Sequence, residues 1–299
     1  MITWSENYLM GIERFDEEHK QTFRLAKQVI ERMLQHDEDE RQRLFVIREM
    51  LTYINHYFED HVREEEAYMR KIGYEGYALH KMLHDDFLEQ EVAKYEKIIR
   101  SGECNKEDVW DFIGSGIGWL LEHIASADLA IVGKGLLAQT KPAAVNAEEL
   151  EREVNQLLTA TMNMEMDARI ISRNYAGEYV GKMVHWKTIY RTRGGEISVI
   201  SGIEQKFVMD VARQLFGENA EAELGLIRST VRMFDKHFWA TLARRFVWED
   251  FRMDIRQEDF IEEEKLAEEL RLLQPTASIL FTSNRGRFFI ATDSPFPML

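Results

Sequence analysis

Apolar residues recur at three- and four-residue spacing through the first 130 positions. In "EEHKQTFRLAKQVIERMLQ" (17–35), Phe23, Ala26, Ile30 and Met33 form one stripe, the period of an amphipathic helix. The acidic run "HDEDE" (36–40) interrupts it. A long second helix is predicted over "RLFVIREMLTYINHYFEDHVREEEAYMRKI" (43–72), broken at Gly73. A third follows over "ALHKMLHDDFLEQEVAKYEKIIRSG" (78–102), closed by Gly102, and a fourth over "KEDVWDFIGSGIGWLLEHIASADLAI" (106–131). Short connections between four helices predict an all-α, up-down-up-down four-helix bundle.

The texture then changes. "GKGLLAQTKPAAVNAEELE" (133–151) has no periodicity at first and reads as a linker giving way to a helix near Ala147. "LEREVNQLLTATMNMEMDARI" (150–170) reads as helical. "KMVHWKTIYR" (182–191) and "GEISVISGI" (195–203) are strand-like and meet at "TRGG", so they are expected to pair. An amphipathic helix over 204–217 closes at Gly217, and a longer one spans 221–246. "ASILFTS" and "RFFIATD" flank "NRG", a hairpin signal. The charged run "WEDFRMDIRQEDFIEEEKLAEELRLL" (248–273) is expected to be an amphipathic helix or extended loop with a solvated face. The expected organisation is a bundle over 1–132, a linker over 133–148 and an α+β domain over 149–299.

Composition narrows the function. The chain has 299 residues and a net charge of -15. That acidity, with no basic patch beyond "ARRF" (243–246), argues against nucleic acid or an anionic membrane as partner. The N-terminal stretch lacks a basic start followed by an apolar run, and no apolar run reaches the ~20 residues of a membrane span. A cytoplasmic protein is expected. Cys104 is the only cysteine, so thiolate metal sites and internal disulfides are excluded, and it is expected to be an inert thiol.

Seven of the nine histidines precede residue 124. The four predicted helices offer, in turn, His19; His61 and Glu65; His80 and His84; and His123, with Asp128 five residues on. Facing side chains of a bundle converge in its core, where metal sites are built. Five imidazoles and two carboxylates exceed the roughly four ligands of one zinc and suit two octahedral ions. Nitrogen and oxygen donors without thiolate favour iron or manganese. The offset from His123 to Asp128 turns about 140° on an ideal helix, so that aspartate needs a bend or a helix end. Tyr57 shares the i,i+4 face of His61 and Glu65 and is expected to hydrogen-bond a carboxylate or pack in the core. His36 and His56 are read as solvated or peripheral.

Four stretches carry a family resemblance: "WSENYLMGIERFDEEH" (4–19), "HVREEEAYM" (61–69), "HKMLH" (80–84) and "WLLEHIASAD" (119–128). Together they resemble the bacterial hemerythrin domain, in order and with matching internal spacing. The resemblance implies two Fe ions, a non-haem diiron site bridged by carboxylates and an oxo or hydroxo group. It gives His80, His84 and His123 to one iron, His19 and His61 to the other, and Glu65 and Asp128 to the bridges. It implies reversible O2 binding in a dry pocket, with Ile12, Phe15, Phe23, Trp119 and Leu120 as candidate lining. Val62 stands where Phe is usual, which implies a wider O2 channel and faster autoxidation.

The region after 150 loosely resembles the CheX-like and CheC-like chemotaxis phosphatases through "GEISVISGIEQKFVMDVARQLFG" and the long helix that follows. With Ser229 at the motif start, Met233 and Lys236 stand where that family needs an acid and an asparagine. Phosphatase activity is therefore expected to be absent, leaving a docking or dimerising module. "FDKHFW" (234–239) reads either as a contact surface or as core, and His185 and His237 as structural or surface residues. The combined expectation is a diiron O2 or redox sensor whose C-terminal domain engages a signalling protein or forms a homodimer. The alternatives are an O2 or iron storage protein and a diiron peroxide, NO or O2 reductase.

Overall fold

The structure, a computed structural model, describes residues 2–36, 39–138, 146–192, 195–217, 224–246 and 254–294. Residues 139–145 of the expected linker, the Arg193–Gly194 step, the side chain of Met233 and positions 248–253 of the charged run lie outside that description. By spatial proximity the chain forms two compact units: Met1–Gln139 with Ala212–His237, and Thr140–Val211 with Phe238–Leu299.

Four helical rods make up most of the first unit. The first is α1 (Glu13–His36). Asp16 anchors its entry by accepting from the backbone N–H of Met10 and Gly11, at 2.8 and 3.0 Å. The second joins α2 (Glu40–Tyr53) and α3 (Glu59–Ile72) through a π-turn, Ile54–Phe58. The third joins α4 (Tyr77–Asp86) and α5 (Ala93–Ser101) through a π-turn, Phe87–Val92. The fourth joins α6 (Lys106–His123) and α7 (Leu129–Ile131) through a third, Ile124–Asp128. Gly73 and Gly102 end the second and third rods in the left-handed conformation that glycine adopts without strain. Asn105 and Asp108 form a reciprocal capping box at the start of α6.

The second unit is built on a sheet of order β1-β5-β6-β3-β2-β4, antiparallel throughout. Its strands are β1 (Arg169–Ser172), β2 (Met183–Thr192), β3 (Gly195–Glu204), β4 (Asp254–Ile261), β5 (Ala277–Thr282) and β6 (Arg287–Thr292). Helices α8 (Ala147–Met162), α9 (Gln205–Phe216), α10 (Leu224–Phe246) and α11 (Leu266–Leu273) complete the described α-helices. The fold is therefore a helical bundle followed by an α+β region. The β2–β3 pair and the β5–β6 hairpin occur where alternation and turn residues put them.

One expectation gives way here and one open alternative is decided. The charged run is not all helix or loop: Asp254–Ile261 is the edge strand β4, paired with β2, and only Leu266–Leu273 is α-helical. The "FDKHFW" aromatics are core and not a contact surface, with Phe234, Phe238 and Trp239 at most 6% exposed. Trp239 packs 6.4 Å from both Phe281 and Phe288, which themselves stack at 4.8 Å.

Within the first unit, α10 packs closely on α6. A Cβ added at Gly114 would meet the Leu226 carbonyl and Ser229 Cβ at 2.8 Å. Beside it, Asp111 accepts from Tyr95 Oη at 2.6 Å, Ser229 Oγ at 2.6 Å and the Arg232 guanidinium at 3.0 Å, and pairs with Lys94. Lys236 pairs with Glu91 at 2.9 Å.

Candidate metal centre

All seven carboxylate and imidazole side chains singled out in the sequence are at most 8% exposed. His61 and Glu65 lie four apart on α3, and His80 and His84 four apart on α4, so each pair shares a face. His123 ends α6 and Asp128 ends the π-turn that follows. In that turn the Leu129 N–H reaches the Ile124 carbonyl, an i to i−5 bond. The wider turn adds one residue per revolution, so a residue five on returns above His123. Gly135, with φ +74, seats against the Ala125 carbonyl of this turn, where a Cβ would stand only 2.9 Å away.

The donor atoms fall into two groups. The first holds Glu65, His80, His84, His123 and Asp128, and the second His19, His61 and Glu65. The Nε2 atoms of His80, His84 and His123 form a triangle with edges of 3.2, 3.0 and 3.1 Å. Asp128 faces both ways: Oδ1 lies 3.0 Å from His123 Nε2 and 3.3 Å from His80 Nε2, while Oδ2 lies 3.3 Å from His19 Nε2. Glu65 Oε2 lies 3.2 Å from His80 Nε2 and 3.5 Å from His84 Nε2.

This donor set fits metal ions. Adjacent ligands of an octahedral ion with bonds of about 2.1 Å stand √2 times farther apart, about 3.0 Å. That is the spacing of the imidazole triangle. Hydrogen bonding does not account for the cluster: both Glu65 oxygens and Asp128 Oδ1 are buried with no hydrogen-bond partner among the described residues. Buried polar atoms left unpaired are costly, and a cation shared among them removes the cost.

Electrostatics without an ion are uneven. Burial opposes charge on His80, but the Asp128 and Glu65 carboxylates outweigh it and push its pKa up to about 10. Burial dominates at His123 and takes it down to about 4. Burial also favours the neutral form of Asp128, yet the histidines around it hold its pKa well below the ordinary value.

Comparison with known proteins bears on this geometry. Residues 10–134 match the family model of the hemerythrin HHE cation binding domain. Bacteriohemerythrin of Clostridium acetobutylicum is 29% identical over 129 residues, covering 43% of this chain and 96% of that protein. Bacteriohemerythrin of Pseudomonas aeruginosa strain LESB58 is 26% identical over 132 residues, covering 44% of this chain and 79% of that protein. The hemerythrin subunit alpha of Lingula anatina is 25% identical over 133 residues, covering 44% and 94%. Among solved structures, the FliM middle domain from Vibro alginolyticus aligns with a TM-score of 0.32 and 14% identity, over 50% of this chain and 91% of that one.

Around the cluster the walls are aromatic. Trp119 stacks on His123 at 4.2 Å, and Phe87 stacks on Trp119 at 4.2 Å. Phe15 meets His61 edge-on at 5.7 Å, and Phe58 lies over it at 6.2 Å. Trp4 lies 6.3 Å from His19 and packs with Tyr8 and Phe23. Of the expected lining residues, Phe15 and Trp119 touch the imidazoles directly, Phe23 acts through Trp4, and Ile12 packs beside Phe15. Leu120 and Trp119 line an apolar cavity of ≈ 90 Å³ together with Phe58, Phe87 and Tyr53.

Tyr57 fails its expected role. It is 63% exposed and stacks on Tyr53 at 5.6 Å. The π-turn Ile54–Phe58 breaks the four-residue register between Tyr57 and His61 and brings Phe58 to the site instead. One residue absent from the sequence reading belongs here. Glu18 Oε2 lies 2.6 Å from His61 Nδ1, the far nitrogen of that ring, and so fixes its tautomer and tilt. Only its place beside His19 could have drawn attention to it. His56 is exposed, and Cys104 is buried, its thiol pushed up to about 11 by burial.

Proposed function

We propose that the hemerythrin domain holds two iron ions and binds O2 reversibly, and that the chain uses this site as an oxygen or redox sensor. The observation that carries the metal reading is the two-sided placement of the carboxylates. Glu65 belongs to both donor groups, and the two oxygens of Asp128 face histidines of different groups. In this reading His80, His84 and His123 serve one ion, His19 and His61 the other, and Glu65 and Asp128 bridge them. The second group offers fewer protein donors, so an ion held there would have room for a diatomic ligand. When bound, the iron pair supplies the electrons that make O2 capture reversible.

The chain's own residues set the conditions. Glu18 accepts from His61 Nδ1–H and keeps Nε2 aimed inward. Phe15, Phe58 and Trp119 exclude water from the imidazoles. The apolar cavity beside Phe58 and Trp119 favours an uncharged gas over water.

The sensing reading rests on α6. Its last residue is His123, and about 14–18 Å earlier on the same rod Gly114 and Asp111 hold α10. Helix α10 is continuous, with residues through His237 in the first unit and Phe238 onward in the second. A shift of α6 at the metal end would be felt by the part of α10 packed on it in the first unit, and in this reading the α+β region is where a signalling partner or second copy would engage. Hydrogen exchange of the iron-loaded chain, reduced against oxygenated, tests this. Sensing predicts altered protection in α10 and in the α+β region, or a change of oligomeric state. Unchanged protection and oligomeric state would favour storage or delivery over sensing.

A further inference from the structure

Far along the chain from the metal ligands, the second unit contains a cavity of ≈ 260 Å³ under loop 176–182, beside β2 and the start of α11. Its floor is apolar, made by the buried Tyr175, Met183 and Leu266. His185, only 3% exposed, also lines it. The Nδ1 of this ring is buried and has no hydrogen-bond partner among the described residues. Burial lowers its pKa, so the neutral imidazole offers one donor and one acceptor nitrogen. A polar side chain in that state is short of a partner, and the cavity is where one can enter.

The mouth carries charge of one sign. Glu178, Glu263 and Glu264 line it, and among the described residues no Lys or Arg does. The loop is held open from behind. Tyr175 Oη donates to the Glu178 carbonyl at 2.9 Å, and the Arg287 guanidinium donates to the Val180 carbonyl. Gly177, at φ +94, lies so close to α11 that a Cβ would stand 3.0 Å from Ala267 Cα. His185 and these glutamates do not form a group tight enough to share one ion, which argues against a metal.

We propose that this cavity binds a small organic cation, with an ammonium at the glutamate mouth, an aliphatic body over Tyr175, Met183 and Leu266, and a hydrogen-bonding end at His185. Such a ligand meets each wall with its complement: charge with charge, apolar with apolar, and a polar group for the unpaired imidazole.

The probe is 4-aminobutan-1-ol, which carries all three features. 1,4-Butanediol lacks the charge and n-butylamine lacks the hydroxyl. Titrations use the full chain labelled with ¹³C-histidine, with the His185 resonance assigned by its loss in His185→Gln. The expected result is a saturable shift of that resonance by 4-aminobutan-1-ol, with the diol at least about tenfold weaker. Replacing Glu178, Glu263 and Glu264 together by Gln should cost about tenfold or more while leaving the melting temperature unchanged. A linear, non-saturating shift, or equal binding of diol and amine by the unmodified chain, would overturn the proposal. So would unaltered binding by a folded triple variant. The diol comparison stands even if that variant does not fold.

Discussion

Glu18 shows how much of a candidate metal site lies one layer out. It lies 2.6 Å from His61 Nδ1 and is still partly open to solvent, so replacing it should leave the fold intact. Glu18→Gln is expected to weaken iron retention by about tenfold, the lower end for loss of a carboxylate behind a ligating histidine. Chelator competition measures it, and retention equal to the parent would remove Glu18 from the account. At His80 the issue is a proton. Without metal its pKa is about 10, so the ring is charged at neutral pH and the proton must leave before Nε2 can bind an ion. The sign follows: apparent metal affinity rises with pH up to about 10 and falls by as much as about tenfold per unit below it. Affinities at pH 8 and pH 7 that agree would contradict this. Val62, buried on α3 next to His61, sets a third test. Val62→Phe is expected to slow autoxidation of the oxygenated form, and an unchanged rate would separate Val62 from gas access.

At the scale of elements, the π-turns and the α6–α10 contact decide what the bundle can do. Gly114→Ala puts a methyl group within 2.9 Å of α10 backbone and is expected to destabilise the chain by about 1–3 kcal/mol. A melting temperature equal to the parent would show that α10 does not sit there in solution. Asp111 gives an independent probe of the same contact. Burial alone would raise its pKa, but Arg232, Lys94, Ser229 and Tyr95 hold it down to about 2. A depressed acid stabilises the fold above its unfolded value near 3.8, and that contribution fades as pH falls toward 2. Asp111→Asn should therefore cost about 2 kcal/mol at neutral pH and flatten the acid side of the stability profile below pH 4. Urea unfolding at pH 7 and pH 3 checks both parts.

The element scale also explains what could and could not be read in advance. His61 with Glu65 and His80 with His84 were readable because candidate donors on one face repeat with the helix itself. Asp128 left a mismatch of one residue, and only the backbone of Ile124–Asp128 resolves it. The same kind of turn displaced Tyr57, whose four-residue spacing to His61 was misleading because the helix widens between them. Glu18 reaches a different rod, a tertiary contact with no periodic signature. Strand β4 was missed because "DIRQEDFI" is charged at four of its eight positions. Charge is what an edge strand carries to avoid pairing with another sheet, and it resembles a solvated helix in sequence.

For the whole molecule, no described helix is long and apolar enough to cross a membrane, and the net charge is -15. Recognition of nucleic acid by charge is correspondingly disfavoured. What remains is a chain with a donor cluster in one compact unit and a sheet in the other. Every functional statement about that arrangement depends on what the cluster holds. Metal analysis of the purified chain, combined with its absorption spectrum in air, tests this most directly. The account predicts two irons per chain and charge-transfer bands in the near-ultraviolet and visible, lost together when His84 or His123 is replaced by Ala. A chain that carries zinc, or no metal, with no such bands after reconstitution with ferrous iron would contradict it.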